Sequence, residues 1–166
     1  LNVCWVITSA ALTLQPSTQT IQNLAQAISE VKQQSKVPVL FPAKVPVNDV
    51  NDKYFASAMV HPDGNGYYIS IDKTADCNGA KYCSIGEISA QMGDRPQIYA
   101  AMNGPDLTVP VALKNGHKAY FTPSHAEADY WPAQIEFRQQ NVLYRVSWRV
   151  ADTKHEKPIL IALTNS

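Results

Sequence analysis

The sequence carries no surplus of charge of either sign: 14 lysines and arginines balance 14 aspartates and glutamates. Electrostatically driven binding to nucleic acid or to an anionic membrane needs a basic surplus on one face. No run of basic residues supplies one. Catalytic and metal signatures are missing as well. His61, His117, His125 and His155 form neither H-x-x-x-H nor H-E-x-x-H, the spacings that place two imidazoles on one helix face around zinc. They read as surface histidines. No G-x-S-x-G elbow presents a serine nucleophile. The glycines fall in hairpin turns rather than in a phosphate cradle. Asp72, Asp76, Asn78 and Gly79 lack the spacing and terminal glutamate of an EF-hand. No cofactor or metal is expected.

What is present describes an ordinary core. The 166 residues are 45% hydrophobic and 17% charged, about the size and composition of one globular domain. No internal repeat or low-complexity linker divides them. Residues 1–14, LNVCWVITSAALTL, carry no charge and are too short to span a bilayer comfortably. They read as a targeting-derived or anchoring segment, or as a buried first strand; Val3 makes "LNVC" a poor lipobox. No other segment is long and apolar enough to cross a membrane. Residues 15–166 form the single domain.

Three cysteines leave one unpaired if two are joined. Cys77 and Cys83 are six positions apart in a loop rich in Asn, Gly and Asp, which brings two β-carbons within bonding reach. Cys4 lies far away. One disulfide and one odd thiol imply an oxidising compartment. The alternatives are two free thiols or half of a zinc site, which needs about four ligands; no histidine lies near the pair in sequence.

Taken in order, Ser17–Gln34 shows a helical stripe of Ile21, Leu24, Ala25, Ile28 and Val31. Ser17 and Thr18 are suitable N-caps. Pro38, Pro42 and Pro46 then impose an extended connector that packs Val39, Phe41 and Val45 on a sheet. Strand patterns follow over Tyr54–Val60, Tyr67–Asp72, Ile85–Gln91, Gln97–Met102, Leu107–Leu113, His117–Thr122, Gln134–Arg138 and Val142–Val150. Hairpin turns are marked by HPDGNG, Asn115-Gly116 and Gln139-Gln140-Asn141. In the last strand Leu143, Arg145, Ser147 and Arg149 alternate with apolar residues, the period of a half-buried antiparallel strand. PILIAL at the end reads as a short helix begun by Asp152 or Thr153, with a strand as the alternative. Hairpins without βαβ crossovers give an α+β fold: an N-terminal amphipathic helix on a curved, mainly antiparallel sheet, with a short C-terminal helix.

VPVLFPAKVP, NGHKAYFTP and IEFRQQNVLYRVSW, within Val37–Val150, resemble bacterial extracytoplasmic domains, among them the sensor domains of some anti-sigma factors. That resemblance implies a curved sheet with a helix in its concavity, as in lipoprotein-carrier proteins. It implies no catalytic residues, and this sequence shows no transmembrane helix of the anti-sigma kind.

The most chemically loaded stretch is Ser124–Trp131, which combines a hydroxyl, an imidazole, two carboxylates and two aromatics. Tyr130 and Trp131, with His125, are candidate binding residues, because exposed aromatics anchor interfaces. Tyr82 joins them from the Cys77–Cys83 loop, a rigid protrusion suited to partner contact. The leading expectation is a secreted or periplasmic, non-enzymatic binding domain recognising a protein or envelope component; one version is an inhibitor that plugs an enzyme's cleft with the cysteine loop. The competing reading is a hydrolase using His125 with Asp129 or Glu127. A carrier of a lipid-like ligand is third, with a cavity between helix Ser17–Gln34 and the sheet.

Overall fold

The computed structural model describes residues 13–47, 51–96, 98, 107–126 and 130–166. The central element is an eight-stranded open sheet. In spatial order it comprises β2 (Ile21–Gln22), β4 (Tyr54–Val60), β5 (Gly66–Asp72), β6 (Ser84–Met92), β12 (Val142–Trp148), β11 (Ala133–Gln139), β8 (Lys118–Thr122) and β7 (Val109–Ala112). Every neighbouring pair is antiparallel except β2 with β4. Two ribbons stand apart: β1 (Thr13–Pro16) with β3 (Lys44–Val47), and β9 (His125–Ala126) with β10 (Tyr130–Trp131).

Strand register follows from the alternation of side chains. Ile69 pairs with Ile88 and Tyr67 with Ala90 across β5 and β6. Val146 pairs with Ile88 and Tyr144 with Ala90 across β6 and β12. Ile135 pairs with both Val146 and Phe121. These residues therefore share one face, because the side-chain period in a strand is two. Gly86 lies opposite Trp148, and a β-carbon there would enter the indole ring. Only glycine leaves room for that ring, whose edge packs on Tyr54 with centroids 6.1 Å apart.

Two helices cover this apolar face. Helix α2 (Leu24–Gln34) contributes Leu24, Ala27 and Val31 to the core, and α3 (Glu156–Thr164) contributes Leu160 and Leu163. The proline-punctuated connector lies beside them, burying Val37, Val45 and Val47. It is tied down by buried tyrosines. Tyr144 donates to the Pro38 carbonyl at 3.1 Å, and the Leu40 amide donates to the Tyr67 hydroxyl at 3.1 Å. Burial raises the phenol pKa of Tyr67 and Tyr144 above the ordinary value. At Tyr54 burial does the same, reinforced by the Asp52 carboxylate that its hydroxyl donates to.

The expected helix over Ser17–Gln34 is corrected by the structure. Only a single turn, α1 (Ser17–Thr20), forms at its start. Ile21 and Gln22 then extend and pair in parallel with Tyr54 and Phe55. Asn23 adopts a left-handed φ of 60°, and the true helix begins at Leu24. The physical reason is competition for the same side chains. Ser17, a plausible cap in sequence, instead donates its buried hydroxyl to the Pro42 carbonyl at 2.6 Å. β-Branched Ile21 fills the edge of the sheet, which suits it better than a helix interior. Within α2 the buried stripe takes Ala27 where Ala25 was expected, and Ala25 is exposed.

Other expectations fare differently. The terminal helix forms, preceded by a 3₁₀ turn over Thr153–His155 in which Asp152 accepts from the Lys154 amide and from His155. Those bonds hold the Asp152 carboxyl below its usual pKa. Leu107–Leu113 contracts to the four-residue β7. Residues 1–12, and all of the anticipated strand Gln97–Met102 except Ile98, lie outside the described residues. No helix among those described is long and apolar enough to cross a membrane.

Candidate functional site

The second face of the sheet carries the polar half of each strand. From β6 come Glu87 and Ser89, from β12 Arg145 and Ser147, with Arg149 just past its end, and from β11 Gln134 and Glu136. Register sets them side by side: Glu87 opposite Ser147, Ser89 opposite Arg145, Glu136 opposite Arg145, and Gln134 opposite Ser147. This face is not simply solvated. Glu136 is 1% exposed, and Ser89 and Ser147 are also buried. Arg145 donates from Nε to Glu136 Oε1 at 2.7 Å and places Nη2 2.6 Å from the same oxygen. A buried carboxylate is tolerated because a guanidinium supplies both charge and donors.

Two protrusions rise over this face. The first is the cysteine loop. Cys77 and Cys83 form a disulfide with Cα atoms 5.9 Å apart. Inside it Asn78 and Gly79 take left-handed φ values of 48° and 78°, a reversal that glycine allows at no steric cost. The loop is anchored to the sheet by buried Asp72. One carboxylate oxygen accepts the Gly79 amide at 3.1 Å, and the other accepts the Ser70 hydroxyl at 2.7 Å. The result is a knob with Tyr82, 83% exposed, on its surface.

The second protrusion is the β9–β10 arm, which replaces the long loop expected between Thr122 and Gln134. Tyr130 pairs with Ala126 and Trp131 with His125. The imidazole of His125 stacks on Trp131 at 6.4 Å between centroids. Its Nδ1–H donates to the Pro123 carbonyl at 3.1 Å. The root of the arm is fixed by Glu156, the buried first residue of α3, whose Oε2 accepts the Ser124 amide at 3.0 Å.

Knob and arm meet. Lys81 Nζ lies 4.5 Å from the centroid of Trp131, and the Arg149 guanidinium 4.8 Å from that of Tyr130. Both are cation–π contacts. Arg149 also donates to the Lys81 carbonyl at 3.0 Å. Between them lies a cleft of about 250 Å³, walled by Gly79, Lys81, Tyr130 and Trp131 and floored by Glu87, Gln134, Arg145, Ser147 and Arg149. Two further hollows adjoin it. One of about 420 Å³ shares Tyr68, Gly79 and Glu87 with it; one of about 220 Å³ shares Tyr68 and Arg145.

The structure thus brings Tyr130 and Trp131 together with the cysteine loop, more than 45 residues away in sequence. His125 stacks on Trp131 and does not line the cleft, and Tyr82 is exposed and lies outside its lining. Glu127 and Asp129, the acids weighed as partners of His125, lie outside the described residues. Among the described residues no group of three or more His, Cys, Asp or Glu could hold a metal ion.

Sequence reasoning missed Lys81, Gln134, Glu136, Arg145, Arg149 and Glu156. A signal for the ion pair was present. Gln140 takes a left-handed φ of 56° and the strands pair from Gln139 with Val142. A two-residue turn fixes register, and counting back from it sets Glu136 against Arg145. Nothing local marks Glu156, whose role depends on where α3 docks.

No protein-family model, curated protein or solved structure matches the chain.

Proposed function

We propose that this is a non-enzymatic binding domain of an oxidising, extracytoplasmic compartment that recognises a protein or envelope component through the cleft between knob and arm. The observation that carries this reading is the convergence of two exposed aromatics with a disulfide-closed loop over a polar floor. Tyr130 and Trp131 present large contact area with little side-chain entropy to lose. Both are held by neighbouring cations rather than free to collapse onto the core. The disulfide supports the compartment, because such bonds persist where thiols are not kept reduced. The resemblance of Val37–Val150 to extracytoplasmic sensor domains points the same way. Tyr82, standing clear of the knob, is the natural reach of a version that plugs another protein's cleft.

The test compares immobilised wild type with a Tyr130→Ala/Trp131→Ala variant for retention of components from an envelope extract. A component kept by wild type and lost by the variant is the expected result. Equal retention by both contradicts the assignment.

One observation favours a second reading, an apolar-ligand carrier. A hollow of about 210 Å³ lies on the core side, lined by Leu40, Phe41, Ile88, Phe137, Tyr144 and Val146. It opens between the connector and the end of α3, and Ser17–Gln34 contributes nothing to its lining. Its volume falls below the roughly 300–1,000 Å³ of drug-sized sites, which suits a short acyl or aromatic group at most.

A further inference from the structure

Two hydrogen-bond donors of the cleft have no acceptor. Arg149 Nε and Gln134 Nε2 are both shut off from solvent, and neither has a hydrogen-bond partner among the described residues. Both residues line the same cleft. Gln134 lies opposite Ser147, and Arg149 follows two residues after Ser147, just past the end of β12. Buried donors left unmade are costly, and native structures satisfy the great majority of them. Two such donors on residues that line one cleft are the arrangement expected where an acceptor arrives with a ligand. Because one donor is a guanidinium, an anionic acceptor is favoured over a neutral one.

The surroundings narrow the class. Arg145 pairs with Glu136, and the other charged side chains along the cleft are Lys81, Arg149 and Glu87. The walls are aromatic and the floor mixes donors with acceptors, which suits a hydroxyl-rich ring better than an aliphatic chain. The cleft is too small for a drug-sized ligand, yet it continues into two neighbouring hollows that share Tyr68. Such a row fits a polymer whose repeating unit is small.

We infer that the polar face is a track for a carboxylate-bearing polysaccharide, one uronic-acid carboxylate being received by Arg149 Nε and Gln134 Nε2. This rests on the reading of the cleft as the recognition site and names the chemistry of its partner. The Tyr130 ring covers the Arg149 guanidinium, so the carboxylate reaches it by a shift of that ring while the cleft stays walled by the arm. Trp131, next to Tyr130 on that arm, reports the shift.

The experiment is calorimetric titration of the full chain with oligouronate from alginate, with dextran sulfate and with neutral dextran of matched length, alongside Trp fluorescence. The expected result is binding of oligouronate with a change in Trp131 emission, absent in Trp131→Phe. Binding weakens about tenfold or more in Gln134→Leu and in Arg149→Lys, as loss of a charge-assisted donor implies, and it weakens as salt rises. Wild-type acrylamide quenching with and without oligouronate gives the same answer if a variant fails to fold. Equal binding of neutral dextran, preference for dextran sulfate, or no glycan binding overturns the inference. If glycans fail while the Tyr130→Ala/Trp131→Ala variant still loses its envelope component, the binding role stands and only its chemistry falls. If both fail, the binding role falls too.

Discussion

The two faces of one sheet are built from the same strands and do opposite work. On the core face, Tyr67, Ile69, Ile71 and Ile135 are fully buried under α2, α3 and the connector. On the other face the intervening residues are Tyr68, Ser70, Glu87, Gln134, Glu136, Arg145 and Ser147, covered among the described residues by a disulfide knob and a two-stranded arm. On the proposed reading, the difference is how a period-two sequence separates stability from recognition. Apolar positions are interchangeable in kind, whereas each polar position is tied to a particular neighbour by register.

Substitutions on the two faces should therefore part company. The largest effect is expected at the core: Leu160→Ala should cost about 2–5 kcal/mol in denaturant unfolding, as buried leucine truncations do, with the affinity of the cleft unchanged. Removing the disulfide with Cys77→Ser/Cys83→Ser should cost about 2–3 kcal/mol for so short a closed loop. Unlike Leu160→Ala, it should also weaken binding, because Lys81 loses its place against Trp131. Glu136→Gln should cost about 1–3 kcal/mol, the range for a weakened buried partner, and reduce binding through Arg145. A smaller, pH-dependent effect belongs to the core alone. Tyr54, Tyr67 and Tyr144 have native pKa values raised above the unfolded value of about 10. Their contribution is complete below about pH 10 and is lost as pH rises through the native values. Ultraviolet titration should show these phenols ionising late, together with unfolding. Smallest of all, Tyr82→Ala should change stability by no more than about 0.5 kcal/mol, as exposed sites do. A larger loss would show that the knob packs in a way its exposure does not reveal.

The core face was far more legible in the sequence than the polar one. Alternation in Val142–Val150 and the turn at Asn115-Gly116 placed strands within about two residues, and the favoured Cys77–Cys83 pairing rested on short spacing in a loop rich in Asn, Gly and Asp. The helix over Ser17–Gln34 was misread at its start, because Ile21 satisfies a helical stripe and a strand edge equally well. Only the docking of β2 beside Tyr54 decides between them. On the polar face, Tyr130 and Trp131 stood out by composition alone. Lys81 and Arg149 did not, because a lone cation in a loop or at a strand end looks solvated until its aromatic partner is brought to it. Gln134 became notable only when its amide was found buried without an acceptor.

The most direct measurement of this division is paired equilibrium unfolding and partner retention on the Tyr130→Ala/Trp131→Ala variant. Both rings are partly exposed, at 38% and 42%, and each lies against a cation. The account predicts a stability loss of about 1–2 kcal/mol, as two exposed cation–π contacts of about 0.5–1 kcal/mol each imply, with retention abolished. A loss of several kcal/mol with retention intact would contradict it, and would make the arm a structural cover over the sheet rather than its recognition surface.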